Sequence, residues 1–192
     1  NADEIPVDIL PANLKKSEHN LADVRNRIKK IPHDFKLCSS TSGLRRNFRN
    51  GETVGFKIRA DKDCHIAVFC HQSDGSSMLL FPNHWCGNTF IRANTDVLIP
   101  PGKNKKFEIE VGPPFGSDVV QVIACTHKSA LHDEMEQLVR GTAMSDYRCI
   151  TRGLFSRAVD ESVSAEDNSP EIAATAGKSQ WSENHIIIST HR

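Results

Sequence analysis

A chain of 192 residues is long enough for one domain with a full-sized hydrophobic core. Lys plus Arg equals Asp plus Glu at 24 each, so no net charge draws the chain to nucleic acid or an anionic membrane. No stretch approaches the roughly 20 apolar residues of a membrane-spanning helix.

Hydrophobic residues make up 38% of the chain, and the shortfall sits mostly at its two ends, which predicts a compact middle with looser flanks. Asn1 and Ala2 read as the remnant of a cleaved tag, so the absence of a secretion leader decides nothing. Cysteine occurs six times, at Cys38, Cys64, Cys70, Cys86, Cys125 and Cys149. An even count leans toward a periplasmic or secreted location, with the cytoplasm as the alternative. No Asn-x-Ser/Thr site is present, which disfavours a glycosylated ectodomain.

Residues 1–34 read as an N-terminal extension, partly helical. Leu14, Leu21, Val24, Ile28 and Ile31 fall on one helical face, and Pro32 stops it. Residues 35–127 read as the β core. Phe35 to Cys38 predicts a short strand, and the polar, basic stretch from Ser39 to Asn50 predicts a soluble loop. From Thr53 to Ala60 apolar and polar residues alternate, the period of a half-buried strand. Cys64 to Gln72 and Met78 to Phe81 flank Asp74-Gly75, a strong hairpin signal, and Pro82-Asn83 ends the second strand. Short strands follow near Phe90 and Val97 to Ile99, then an alternating one from Lys106 to Val111. The nearly unbroken apolar run from Val119 to Thr126 predicts a central strand buried on both faces.

Residues 128–160 read as a helical elaboration. Leu131, Met135, Leu138 and Val139 make a helical stripe closed by Gly141, and a second helix is expected from Asp146 to about Val159. Residues 161–180 bury too little to offset their ordering entropy and predict a flexible loop. Residues 181–192, with Ile186 to Ile188, predict a last strand returning to the sheet. Short strands with regular turns, then helices, then a strand indicate an antiparallel two-layer β-sandwich, Ig-like or jelly-roll-like, with peripheral helices.

Cysteine and histidine lie close at Cys64-His65, Cys70-His71, His84-Trp85-Cys86 and Cys125-Thr126-His127. Zinc would want four converging ligands, commonly with a C-x-x-C knuckle, and none occurs. Strand neighbours point to opposite faces, so packing or disulfides outweigh a metal site. A Cys–His nucleophile pair using Cys86 or Cys70 is the sharpest enzymatic idea, yet sequence proximity supplies neither a placed base nor an oxyanion donor. The carboxylates at Asp61/Asp63 and Asp133/Glu134/Glu136 read as solvated faces, without the rest of a calcium loop. The loop residues Asn83, His84 and Trp85 are the candidate binding residues, because loops carry function more often than strands.

The hairpin around Asp74-Gly75 makes one disulfide a candidate. With a three-residue loop, paired residues sum to 150 and Cys64 faces Cys86; with two residues, Cys64 faces Trp85, diagonal to Cys86. Directly opposed residues lie about 4.5–5.5 Å apart, within disulfide reach.

The middle of the chain resembles a bacterial family, domain of unknown function 4384. The motifs are Phe48-x-x-Gly51-Glu52-x-Val54, Asp74-Gly75, Leu79-Leu80-Phe81-Pro82-Asn83, Ile99-Pro100, Pro113-x-x-Gly116-x-Asp118 and Val120-x-Val122, with Trp181 before a last strand. The likeness covers roughly residues 35 to 127 and the final strand. It implies an all-β domain of the kind attached to caspase-like peptidases or kinases, or carried on exported proteins, with no activity assigned to it. His65 stands where the pattern expects an aromatic residue, and the segment from Lys128 to Val159 is an addition to it. The resulting expectation is a non-catalytic binding or accessory domain of an exported or envelope protein. It needs no cofactor, binds another protein or an envelope component, and does not bind nucleic acid. The alternatives are a cysteine-dependent enzyme and a metal-binding sensor.

Overall fold

The computed structural model describes residues 25–26, 28–102, 106–140, 154–158 and 178–192. Most of the helix expected over Leu14 to Ile31, and nearly all of the loop expected over Glu161 to Gln180, lie outside these residues. Within the expected helix Arg25 and Asn26 are helical, and from Ile28 to Pro32 the chain is not.

Twelve strands and one helix are described. In chain order they are β1 (Leu37–Thr41), β2 (Asn47–Arg49), β3 (Thr53–Val54), β4 (Phe56–Ala60), β5 (Cys64–His71), β6 (Ser77–Phe81), β7 (Phe90–Ile91), β8 (Val97–Ile99), β9 (Phe107–Val111), β10 (Ser117–Cys125), α1 (Lys128–Arg140), β11 (Leu154–Ala158) and β12 (Trp181–His191). The largest sheet runs β2-β12-β10-β5-β6, with β7 also paired to β5. Two three-stranded sheets, β1-β4-β8 and β11-β9-β3, complete the strand framework. All pairings are antiparallel except β2 with β12, which is parallel.

The expected sandwich is therefore present, but one layer is divided. The run from Thr53 to Ala60 is one strand by sequence. It pairs with β9 at Thr53 and Val54, then with β8 from Phe56 to Ile58, and changes sheet at Gly55. A glycine at the change of partner suits a strand that must bend between sheets.

Both faces of the large sheet are covered, which explains the apolar run of β10. Val120, Val122 and Ala124 share a core with Phe56, Ile58, Phe107 and Ile109 of the two small sheets. Ile123 and Cys125 point the other way and pack with Ala67, Phe69 and with Leu131 and Met135 of α1. Burying each large side chain contributes about 1.5–3 kcal/mol, so this double coverage dominates the stability.

Four expectations are corrected. The segment from Ser39 to Asn50 is not a loop throughout: β1 runs on to Thr41, and β2 forms because Phe48, an apolar residue among polar ones, is buried. The helix expected from Asp146 to Val159 is absent over Leu154–Ala158, where the chain pairs with β9. There the ladder on the edge of β9 overrides a weak helical pattern. The remainder of that predicted helix falls outside the described residues.

The hairpin register also differs. Cys70 faces Met78 and His71 faces Ser77, and a shift between Val68 and Phe69 follows. The reason is a longer loop, in which Gln72 N–H donates to Ser76 O at 2.8 Å and Asp74 Oδ1 accepts from Ser76 N–H at 2.9 Å. Cys64 consequently faces Ile91 of β7 instead of Cys86. Both cysteines are free thiols, as are Cys38, Cys70 and Cys125, so the candidate disulfide is not formed.

Candidate functional site

Strand geometry separates each neighbouring Cys–His pair. Cys64 and Cys70 point into the core between the sheets, while alternation sends His65 and His71 to the opposite face. Burial pushes the Cys64 thiol up to about 12, with Asp63 adding to the effect. Burial also holds Cys70 well above the ordinary thiol value. Cys125 packs on the α1 side, and it too is raised by burial although its sulfur accepts the His127 N–H at 3.4 Å. These thiols are poor nucleophiles, because the thiolate is the reactive form. Among the described residues no three His, Cys, Asp or Glu side chains converge as a metal site would require.

The loop from Asn83 to Cys86 is organised from within. Asn83 Oδ1 accepts from the N–H groups of Trp85 and Cys86, each at 3.1 Å, and its Nδ2 donates to Leu80 O at 3.0 Å. Trp85 stacks on Phe107 with ring centroids 6.4 Å apart and lies against the main core. His84 is the exposed member, edge-on to Trp85 at 6.2 Å. Cys86 is half-buried, and burial raises its thiol. Of the three candidate binding residues, Asn83 and Trp85 hold the loop together and His84 is presented to solvent.

A polar chain on the α1 side of the large sheet was missed by sequence reasoning. Gln121, fully buried, donates through Nε2 to Glu183 Oε2 at 2.6 Å and to Lys29 O at 3.1 Å. Its Oε1 therefore accepts from His71 Nε2, at 3.0 Å, which leaves His71 Nδ1 to accept from the Ser77 hydroxyl at 2.7 Å. Burial lowers the His71 pKa, opposed by the Gln121 bond, so the ring is neutral as this pattern demands. His185 Nε2 lies 3.3 Å and His33 Nε2 3.9 Å from the Glu183 carboxylate. The chain ties β6, β5, β10, β12 and the N-terminal segment together. Its one visible signal is Gln121, a lone amide in an apolar strand.

The remaining motif residues shape turns. Glu52 accepts from Arg49 N–H at 2.7 Å and pairs with Arg45 at 2.9 Å, and both bonds hold its carboxyl below the ordinary value. Arg45 also stacks on Phe48 at 5.1 Å, so this part of the basic patch is occupied within the chain. Asp118 Oδ1 accepts from Ser73 N–H at 2.9 Å, and Gly116 passes so close to Ser73 that an added Cβ would lie 2.6 Å from its hydroxyl.

Residues 47–128 match the model of the family described as Domain of unknown function (DUF4384). No curated protein and no solved structure matches the chain. The matched region ends before β12, yet β12 pairs with β10 in the middle of the large sheet.

Proposed function

We propose that this chain, which carries a DUF4384 domain over residues 47–128, is a non-catalytic binding or accessory module of a bacterial exported or envelope protein. The observation that carries the reading is the use made of the family-pattern residues. Glu52, Asn83 and Asp118 each accept the backbone N–H of a nearby turn through a side-chain oxygen, and Gly116 gives Ser73 room. The shared pattern thus describes a scaffold, and function falls to the surfaces the scaffold displays. The partner is another protein or an envelope component. The balanced charge and the internal pairing of Arg45 support a partner other than nucleic acid.

Support for the cysteine-dependent alternative is thin, because Cys70 and its neighbour His71 face opposite ways and burial suppresses both Cys70 and Cys86. One observation favours a cytoplasmic location instead: the five described cysteines are all thiols.

The test is affinity isolation of a partner from the envelope fraction, followed by calorimetry with the purified pair. A saturable complex is expected. A turnover reaction lost in Cys86→Ala or Cys70→Ala would overturn the proposal.

A further inference from the structure

The hydroxyl of Ser77 has a base built behind it. Ser77 opens β6 and faces His71 of β5, so the two side chains share one side of the large sheet. Ser77 Oγ lies 2.7 Å from His71 Nδ1, and His71 Nε2 lies 3.0 Å from Gln121 Oε1. The Gln121 amide is fixed in turn, because its Nε2 donates to Glu183 Oε2 at 2.6 Å and to Lys29 O at 3.1 Å. Gln121 is fully buried and Glu183 nearly so. The proton of His71 is thereby held at Nε2, and the Nδ1 lone pair is aimed at the Ser77 hydroxyl. A hydroxyl, an imidazole and a buried group that orients the imidazole are the arrangement that activates a serine nucleophile.

Two features separate this pair from a histidine that is merely satisfied. The first is access. Ser77 and His71 are half-buried, whereas Thr89 and His65, whose side chains meet at 2.9 Å in the same way, are both buried. The second is the backbone. The Gln72 N–H bond to Ser76 O sets the ladder so that Ser77 and His71 turn their N–H groups away from each other. The order of the large sheet ends at β6, so the Ser77 N–H points out from the edge. A nucleophilic residue's own N–H is one of the donors that stabilise a tetrahedral oxyanion.

We propose that Ser77 is an acyl-acceptor site, whose hydroxyl takes the acyl group of a small activated ester with His71 as the base. Ser77 Oγ attacks the carbonyl carbon while His71 Nδ1 takes the hydroxyl proton. The tetrahedral intermediate collapses, the bond to the leaving oxygen breaks, and His71 Nδ1 returns the proton to the departing alcohol. The products are O-acyl-Ser77 and the free alcohol, with nothing oxidised or reduced. Gln121 is a positioning residue, since it touches only the imidazole. An ester of serine is more stable than the activated ester that supplied it, so the acyl group stays and uptake is stoichiometric. The inference goes beyond the binding-module reading and does not rest on it.

The experiment treats the full 192-residue chain with p-nitrophenyl acetate, follows release of p-nitrophenolate and maps the acetylated peptides. A stoichiometric fast phase should place acetyl on Ser77. Ser76 is the internal control. It is the more exposed of the two, but its hydroxyl meets Gln72 Oε1 at 2.8 Å and Asp74 Oδ1 at 2.7 Å and has no imidazole behind it. Ser77→Ala should remove the fast phase and keep the melting temperature. His71→Gln should slow acetylation at residue 77 by about a hundredfold. Should His71→Gln fail to fold, the pH profile of the parent decides the matter. Burial lowers the His71 pKa, so the rate at Ser77 should be level above pH 6.5 and fall in more acid solution. A rate that climbs in proportion to hydroxide would overturn the proposal, as would equal labelling of Ser76 and Ser77. No acetyl on Ser77 would overturn it and leave the binding-module reading intact. Continuous turnover lost in Ser77→Ala would overturn both stoichiometric uptake and the non-catalytic reading.

Discussion

The carboxylate of Asp118 accepts the backbone N–H of Ser73 at 2.9 Å, which joins the start of β10 to the turn between β5 and β6. Its second oxygen is buried without a hydrogen-bond partner. Burial pushes this carboxyl from 3.8 up to about 7; the Ser73 bond opposes the rise and Asp74 adds to it. A group whose folded pKa is raised contributes stability that is fully present below the unfolded value, here 3.8, and lost as pH climbs through 7. The amount is on the order of 4 kcal/mol at the limit. Asp118→Asn keeps the acceptor for Ser73 and removes the charge. Its melting temperature relative to the parent should rise by several degrees between pH 5 and pH 8. Parallel melting profiles for the two proteins across that range would sink the argument. His71 acts in the opposite sense, since its lowered pKa means stability is lost as pH falls below 6.5. Both proteins share that effect, so it cancels in the comparison.

Gly116 and Ser73 form the second half of the same joint. A Cβ at Gly116 would meet Ser73 Oγ at 2.6 Å and Ser73 Cβ at 2.7 Å. Gly116→Ala should destabilise the chain by about 1–3 kcal/mol through overpacking. Adding Ser73→Gly removes the atoms it strikes and should recover part of the loss. The check is a double-mutant cycle by urea unfolding, and strict additivity would show that the contact is not the cause.

Much of the strand framework was legible in the sequence because its signals are local. Alternation in β4 and β9, the two-sided apolar run of β10 and the Asp74-Gly75 turn each follow from what one segment buries. The errors came from relations between segments. Nothing between Thr53 and Ala60 says that the strand changes partner at Gly55, because its alternation continues unbroken. Leu154–Ala158 became a strand because β9 offers an edge, which no local pattern records. The Cys64–Cys86 register failed on the loop, where Asp74 binds Ser76 and lengthens the turn. The polar chain of Ser77, His71, Gln121 and Glu183 spans one contact within the β5–β6 hairpin and two between strands far apart in sequence. Only Gln121 betrayed it.

Asn83 should matter for the loop and not for contact with a partner. Its side chain satisfies Trp85 N–H, Cys86 N–H and Leu80 O. Asn83→Ala removes all three bonds and should cost about 1–3 kcal/mol. It should also loosen Trp85 from Phe107, read as a red shift in tryptophan emission. His84→Ala, at an exposed position, should leave both stability and emission unchanged. If the two variants behave alike, the loop is not organised by Asn83.

The thiols should sort by burial, and the order tests the corrected register. Cys38 is exposed, Cys86 half-buried, and Cys64, Cys70 and Cys125 buried. Alkylation reports the product of access and thiolate fraction, and burial lowers both. In the native protein at neutral pH, iodoacetamide should modify Cys38 first and Cys86 slowly. Cys64 and Cys70 should react on the timescale of unfolding, because burial raises Cys64 to about 12 and Cys70 well above the usual value. Peptide mapping of protein alkylated in denaturant without reductant should then recover Cys64 and Cys86 as separate alkylated peptides, since Cys64 faces Ile91 across the sheet. A linked Cys64–Cys86 peptide would mean that β6 continues alongside β5 past Phe81 and that β7 does not hold the place assigned to it. Fast native labelling of Cys70 would mean that the core between the sheets is open at that end of β5.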